Sequence, residues 1–149
     1  MKMPPDDPLP QPEDLGPARG LSKRATRRLI QRAFVLMGRD KHVRQHIREA
    51  DIISSWTLED WDFAWTVILN RGKIDFERRP AKNPDLTLRW KTVEEFLNQV
   101  DTGVIPEDGV EFDGREDLRR FREDFLRWFL HSLRHVMQNP VDDVGESLL

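Results

Sequence analysis

The side chains best able to do chemistry in this chain are its histidines, its carboxylates and its five serines, because it contains no cysteine. The lack of cysteine excludes disulfides, thiolate metal sites and a cysteine nucleophile. No serine lies in a nucleophile elbow, no phosphate-binding loop is present, and the sequence marks none of the carboxylates as buried or paired. We therefore expect no catalytic residue, no cofactor and no enzymatic activity.

The four histidines form two pairs with a spacing of four residues, His42 with His46 and His131 with His135. On a helix each pair shares a face that could hold a metal ion, and Glu49 could add an oxygen ligand to the first pair. Two ligands are too few for a site, and joining the pairs requires contacts between helices that a sequence does not specify. We expect ordinary surface histidines and no metal.

A basic segment lies in the first third of the chain. From Arg19 to Arg48 there are ten lysines and arginines and one acidic residue, so this segment carries +9; since the total net charge is −3, the rest carries −12. The spacing of apolar residues predicts a helix over 22–37 with one apolar face and one arginine-rich face. The arginines of that face are Arg24, Arg27, Arg28 and Arg32.

Three interpretations of this arginine-rich face are open. It can lie on an anionic membrane surface, as basic amphipathic helices do. It can contact nucleic acid through phosphates, but Phe34 is the one aromatic residue among the arginines and no nucleic-acid motif is present, which disfavours this partner. It can also be a solvated face of a helix that covers the core. We take the four arginines as candidate membrane contacts.

The remaining patterns predict an α+β fold. Strands are predicted at 52–58, 63–69, around Ile74 and Phe76, at 86–90 and at 109–112. Further helices are predicted at 39–50, 93–102 and 115–138. Short connections favour an antiparallel meander, so we expect a five-stranded, mainly antiparallel sheet. One face of this sheet is strongly apolar, and helices must cover that face.

The chain length favours one domain. Residues 1–20 hold six of the ten prolines and predict a disordered leader, residues 21–138 form the domain, and residues 139–149 are predicted to be a flexible tail. The N-terminus lacks the apolar stretch of a secretory signal, and no apolar run is long enough to span a membrane. We therefore expect a cytoplasmic protein.

Three stretches resemble the sterol carrier protein family, the SCP-2-like non-specific lipid-transfer proteins: WDFAWTVILNRGKIDF, NPDLTLRWKTVEEFLNQVDTG and VEFDGREDLRRF. The resemblance covers residues 52–137 and rests on the order and spacing of these stretches; the basic helix lies outside it. It implies a sheet covered by helices with an apolar tunnel between them. That tunnel would bind a fatty acyl chain, sterol, isoprenoid or phospholipid without chemical reaction.

Aromatic and aliphatic residues of the sheet and of two helices are the candidate lining of such a tunnel. They are Trp65, Val67, Leu86, Leu88, Trp90, Phe96, Leu97, Phe125 and Phe129. Spacing alone favours a plain core packed at normal density, whereas the resemblance to the family favours a cavity. The alternative function is an accessory or scaffold module that binds a partner protein, such as a lipid-modifying enzyme, and that has little or no cavity.

Overall fold

The structure, a computed structural model, describes residues 22–106, 110–114 and 116–149, with the side chains of all but 119–122. The predicted leader over 1–20 lies outside these residues. The described residues form an α+β fold. Its helices are α1 (Lys23–Arg39), α2 (Lys41–His46), α3 (Val93–Thr102) and α4 (Arg119–Gln138). Its strands are β1 (Asp51–Leu58), β2 (Phe63–Asn70), β3 (Lys73–Glu77), β4 (Leu86–Trp90) and β5 (Glu111–Gly114).

The five strands form one open, mixed sheet in the order β3-β2-β1-β4-β5. β1 and β2, β2 and β3, and β4 and β5 pair antiparallel, whereas β4 runs parallel to β1. The prediction of a mainly antiparallel meander is therefore wrong at β4, which lies beside β1 and not beside β3. The chain from β3 to β4 crosses back over the sheet, whereas the predicted meander requires a hairpin connection there.

Hydrogen bonds at both ends of β4 explain its place beside β1. At the start, the backbone N–H of Ile53 donates to Asp85 Oδ2 (2.9 Å), and the N–H of Asp85 donates to the carbonyl of Ile53 (2.7 Å). At the other end, both carboxylate oxygens of Asp60 accept from the N–H of Val93 (3.0 and 3.1 Å). Asp85 satisfies a backbone donor of β1 and Asp60 satisfies the first backbone donor of α3, and together they hold β4 in parallel register with β1.

Local sequence signals account for the element boundaries. Ser22 caps α1, because its hydroxyl accepts from the N–H of Ala25 (3.0 Å), and Thr92 caps α3 by accepting from the N–H of Glu95 (3.1 Å). Gly103 ends α3 with a positive φ of 71°. The predicted helix over 22–37 is confirmed and extends to Arg39, whereas the helix predicted over 39–50 covers only the six residues of α2.

The side chains that point to one face of the sheet are almost all buried. The strand register places Trp56 opposite Trp65 on one side and beside Leu88 on the other. Aromatic rings of the helices contact this face: Phe34 of α1 lies 5.4 Å from Trp56 between ring centroids, and Phe129 of α4 lies 4.9 Å from Trp56. Phe96 of α3 contacts Trp90 at 5.2 Å. The core therefore lies between this face and these helices.

Residues 139–149 carry specific contacts, although the sequence predicts a flexible tail there. Val141 and Ser147 form an isolated antiparallel bridge, and Leu148 is buried. Asp143 receives two hydrogen bonds from Arg39, at 2.7 and 2.8 Å, and an ion pair from Arg32 at 2.9 Å. Both arginines belong to α1, so the tail is attached to the first helix.

We expect Gly114→Ala to destabilise the fold by about 1–3 kcal/mol, as overpacking does. A Cβ there would lie 2.7 Å from the carbonyl oxygen of Asp85 and 2.8 Å from Cα of Leu86, and backbone atoms give way poorly. Gly38→Ala is the matched control, since its Cβ would meet only ordinary contacts with Ile74 at 3.7 Å and alanine favours the helix by about 0.5–1 kcal/mol. Urea unfolding measures both changes, and a neutral Gly114→Ala would contradict the close approach of β5 to β4.

Candidate ligand-binding site

Two small apolar cavities lie between the sheet and the helices. Each has a volume of about 10 Å³. The first cavity is lined by Ile52, Ser54, Trp56, Leu69, Leu86, Leu88 and Phe125. The second cavity is lined by Ile30, Trp56, Thr57, Leu58, Trp65, Trp90, Phe96 and Phe129. A volume of this size is about that of one water-sized sphere, so neither cavity has room for an acyl chain in this conformation.

Trp56 lines both cavities. Its Nε1–H donates to the hydroxyl of Ser54 (2.9 Å), and that hydroxyl donates to the carbonyl of Val67 (2.9 Å). The ring also packs edge-on against Phe125 (5.9 Å) and Phe129 (4.9 Å) of α4. The hydrogen bonds and the aromatic contacts together fix the orientation of the Trp56 ring.

Two other tryptophans are oriented in the same way, by one polar partner each. Trp65 Nε1 donates to Gln31 Oε1 of α1 (3.1 Å), and Trp90 Nε1 donates to Gln99 Oε1 of α3 (3.0 Å). Gln99 is itself buried. Because a buried indole N–H without a partner is costly, these glutamines set the position of each helix relative to the rings of the sheet.

Seven of the nine predicted lining residues are brought together around these cavities: Trp65, Leu86, Leu88, Trp90, Phe96, Phe125 and Phe129. Val67 and Leu97 are buried but line neither cavity. Sequence reasoning missed Trp56, which lines both. The alternation of β1 places Trp56 on the apolar face, and its central position in the sheet could not be recognised while β4 was assigned beside β3.

The predicted membrane-contact arginines divide into separate environments. Arg24 is exposed, and Arg27 and Arg28 are half-buried. Arg32 pairs with Asp143 and its side chain is only 16% exposed, so it is held against the tail. Hydrogen bonds from Arg39 and Arg32 hold the pKa of Asp143 well below its usual range.

The histidine pairs and the carboxylates form no metal-binding cluster among the described residues. No three histidine, aspartate or glutamate side chains of the described ranges come together as metal ligands would. His46 packs edge-on against the ring of Trp128 at 4.7 Å. No helix of the described ranges is long and apolar enough to cross a membrane.

Comparison with solved structures identifies the architecture. The sterol carrier protein domain 2 of Helicoverpa armigera superposes with a TM-score of 0.57 at 15% identity, over 81% of this chain and 93% of that domain. This chain has an SCP-2-like fold. A ubiquinone synthesis protein, UbiJ-SCP2, superposes with a TM-score of 0.51 at 12% identity, over 72% of this chain and 94% of that protein. No protein-family model and no curated protein matches the chain.

A partial similarity extends to a larger enzyme. The sec-alkylsulfatase Pisa1 from Pseudomonas sp. matches at 16% identity over 58% of this chain. The chain spans only 14% of the length of that enzyme, with a TM-score of 0.44. An overlap of that size assigns no activity to the SCP-2-like fold described above.

We expect Asp143→Asn to loosen the tail at pH 7, because the substitution removes the negative charge of the carboxylate that pairs with Arg32 and Arg39. In the unmodified protein the same contact is complete above the unfolded aspartate pKa of about 3.9. It is lost only as pH falls below that value towards the lowered pKa of the folded state. Hydrogen exchange of the amides over 140–148 measures both effects. Glu146→Gln, at an exposed residue of the same tail, should change little. Equal protection in both variants would show that the ion pairs do not attach the tail.

Proposed function

We propose that this chain binds an apolar ligand between the sheet and the helices, without catalysing a reaction. The candidate ligands are a fatty acyl chain, a sterol, an isoprenoid or a phospholipid. The observation that carries the proposal is the pair of apolar cavities that share Trp56 as a wall residue, lined largely by residues from β1, β2, β4 and α4. Only Ser54 and Thr57 contribute hydroxyl groups to these linings, and no titratable side chain does.

Entry of such a ligand requires the two cavities to join and widen. Phe125 lines the first cavity and Phe129 lines the second, and both belong to α4. A small displacement of α4 away from Trp56 would open both cavities at once. The ligand would then select an opened conformation from the ensemble, and its apparent affinity would be reduced by the fraction of molecules that are closed.

The names of the structural neighbours support an apolar ligand by analogy. One is called a sterol carrier protein domain and the other a ubiquinone synthesis protein. Sterols and the tail of ubiquinone are apolar, and both would suit walls made of tryptophan, phenylalanine and leucine. Such walls discriminate weakly between apolar chains, so we extend the proposal to the ligand class and not to one lipid.

The small volume of the cavities favours one rival, an accessory or scaffold module that binds a partner protein and has a filled interior. Side chains such as Phe34, Phe96 and Phe129 are almost completely buried, as in an ordinary core. The two functions differ in what co-purifies with the chain. A lipid in the interior supports the first, and a protein complex with an empty interior supports the second.

We expect native mass spectrometry of protein purified without detergent to show a bound apolar molecule, which solvent extraction then identifies. Trp56→Ala should increase the bound fraction several-fold, because loss of the indole enlarges both cavities. Its cost to stability is about 3–5 kcal/mol.

Leu148→Ala is the matched control, since Leu148 is buried in the tail and lines neither cavity. It should destabilise by about 2–5 kcal/mol without raising ligand binding. A clean apo mass for the unmodified chain and for Trp56→Ala, repeated after incubation with fatty acids and phospholipids, would exclude the ligand-binding function.

We propose further that the outer face of α1 approaches an anionic membrane when ligand is collected. Arg24 and Arg28 lie one turn apart on this face. We expect Arg24→Gln with Arg28→Gln to reduce co-sedimentation with vesicles containing anionic phospholipid, because each basic residue near such a surface contributes about 1 kcal/mol. Arg134→Gln with Lys41→Gln removes the same charge from exposed positions elsewhere and should have no effect. Unchanged sedimentation of the first variant would contradict membrane contact.

A further inference from the structure

A basic groove opens at the N-terminal end of α1. Its volume is about 650 Å³. Its walls carry four cationic side chains and one acidic side chain: Lys23, Arg27, Arg78, Arg79 and Asp62. The other lining residues are Trp61, Phe63, Ala64, Trp65 and Pro80. The groove thus combines positive walls with an aromatic floor.

Regular elements hold the cations in place. Lys23 and Arg27 lie one turn apart in α1, so their side chains leave the helix on the same face. On the opposite side, the hydroxyl of Thr66 in β2 donates to the backbone carbonyl of Arg79 (2.8 Å), which fixes the segment of Arg78 and Arg79 beside the sheet. Lys23 Nζ lies 6.0 Å from the centroid of the Trp61 ring.

The described residues compensate the positive charge of the groove poorly. Among the described residues, Lys23, Arg27 and Arg78 form no ion pair, and Arg79 pairs with Glu77. Burial, and then the charges of Arg78, Arg24 and Arg28, lower the pKa of Arg27. Lys23 and Arg27 are like charges four residues apart in α1, a spacing that destabilises a helix. An anion in the groove would relieve that repulsion.

The groove adjoins the apolar interior through one side chain. Trp65 lines the groove and also the cavity formed with Trp90, Phe96 and Phe129. Its indole N–H is bonded to Gln31 of α1, at the boundary between the two spaces. A molecule with an anionic head and an apolar chain could therefore place its head between the arginines and pass its chain beside Trp65.

We propose that the basic groove binds the phosphate head of an amphiphile whose apolar chain occupies the interior. The position of the ligand's apolar chain in the interior rests on the function proposed above, whereas the phosphate site rests on the groove alone. Phosphate suits the groove because arginines bind its oxygens through paired, charge-assisted hydrogen bonds. Several cations around one position also suit a doubly charged group better than a single carboxylate.

The test is isothermal titration of the full chain with a monoacyl glycerol phosphate and with the monoacylglycerol of the same chain length, both below their critical micelle concentrations. Glycerol phosphate is the third ligand, since it carries the head without the chain. We expect the phosphate-headed amphiphile to bind at least about tenfold more tightly than the neutral one, as charge-assisted hydrogen bonds would give. Arg27→Gln with Arg78→Gln should remove this preference and leave the affinity for the neutral amphiphile unchanged.

A matched control removes the same charge away from the groove. Arg44 and Arg134 are exposed on α2 and α4, so Arg44→Gln with Arg134→Gln should keep the full preference for phosphate. Circular dichroism of each variant checks that the fold is retained.

The outcomes separate the two proposals. Equal binding of both amphiphiles, or a preference that survives Arg27→Gln with Arg78→Gln, would overturn the phosphate site and leave apolar binding intact. Glycerol phosphate could instead bind in a way that depends on these arginines, with no higher affinity when an acyl chain is added. That result would support the phosphate site and refute the position of the acyl chain in the interior. If none of the three ligands binds, both proposals fail.

Discussion

The buried indole of Trp56 is the constraint on which the rest of the structure depends. It lies on the central strand, opposite Trp65 and beside Leu88, and its ring meets Phe34 of α1 and Phe129 of α4. A large ring in that position must be packed on all sides, and its N–H must find an acceptor in an apolar interior. Ser54 supplies the acceptor two residues earlier on the same face. α1 and α4 therefore cannot move relative to the sheet without disturbing this one residue.

The same constraint explains why the interior is nearly closed. Trp56 lines both cavities, and Phe125 and Phe129 of α4 pack against its ring. Aromatic contacts of this kind add only about 0.5–1.5 kcal/mol each beyond area burial, so a ligand that buries a long apolar chain can replace them. A closed, packed conformation is therefore compatible with ligand binding when a few weak aromatic contacts hold the walls together and contacts with the ligand can replace them.

Periodicity in the sequence predicted the faces of the strands, because alternation along a strand is a local property. It grouped Trp65, Leu88 and Trp90 as one apolar lining, and the strand register confirms that they share a face. It did not predict the strand order, because the pairing of β4 with β1 depends on Asp60 and Asp85, whose turn positions gave no sign of distant partners. The SCP-2-like fold was recognised from the order of short stretches, which depends little on knowing each pairing.

Two features of the candidate site lay outside what the sequence could indicate. The basic groove needs Arg27 and Arg78, which are far apart in the chain and meet only through the packing of α1 near the end of β3. The arginines of α1 were predicted as one surface, yet Asp143 binds Arg32 from the opposite end of the chain. Charge patterns within one helix show which side chains share a face, and tertiary contacts decide which of them remain available.

The strand order also has a consequence for the newly synthesised chain. β1, β2 and β3 emerge first and can pair through two tight hairpins, but β1 then presents an unpaired backbone edge until β4 has been made. Ser54 cannot pair with Leu86, its partner across that edge, until the intervening segment has been translated. An exposed central edge is open to pairing with other chains, and non-local parallel pairing is slow to form. The period before β4 arrives is thus the time at which nascent molecules of this protein are most exposed to aggregation.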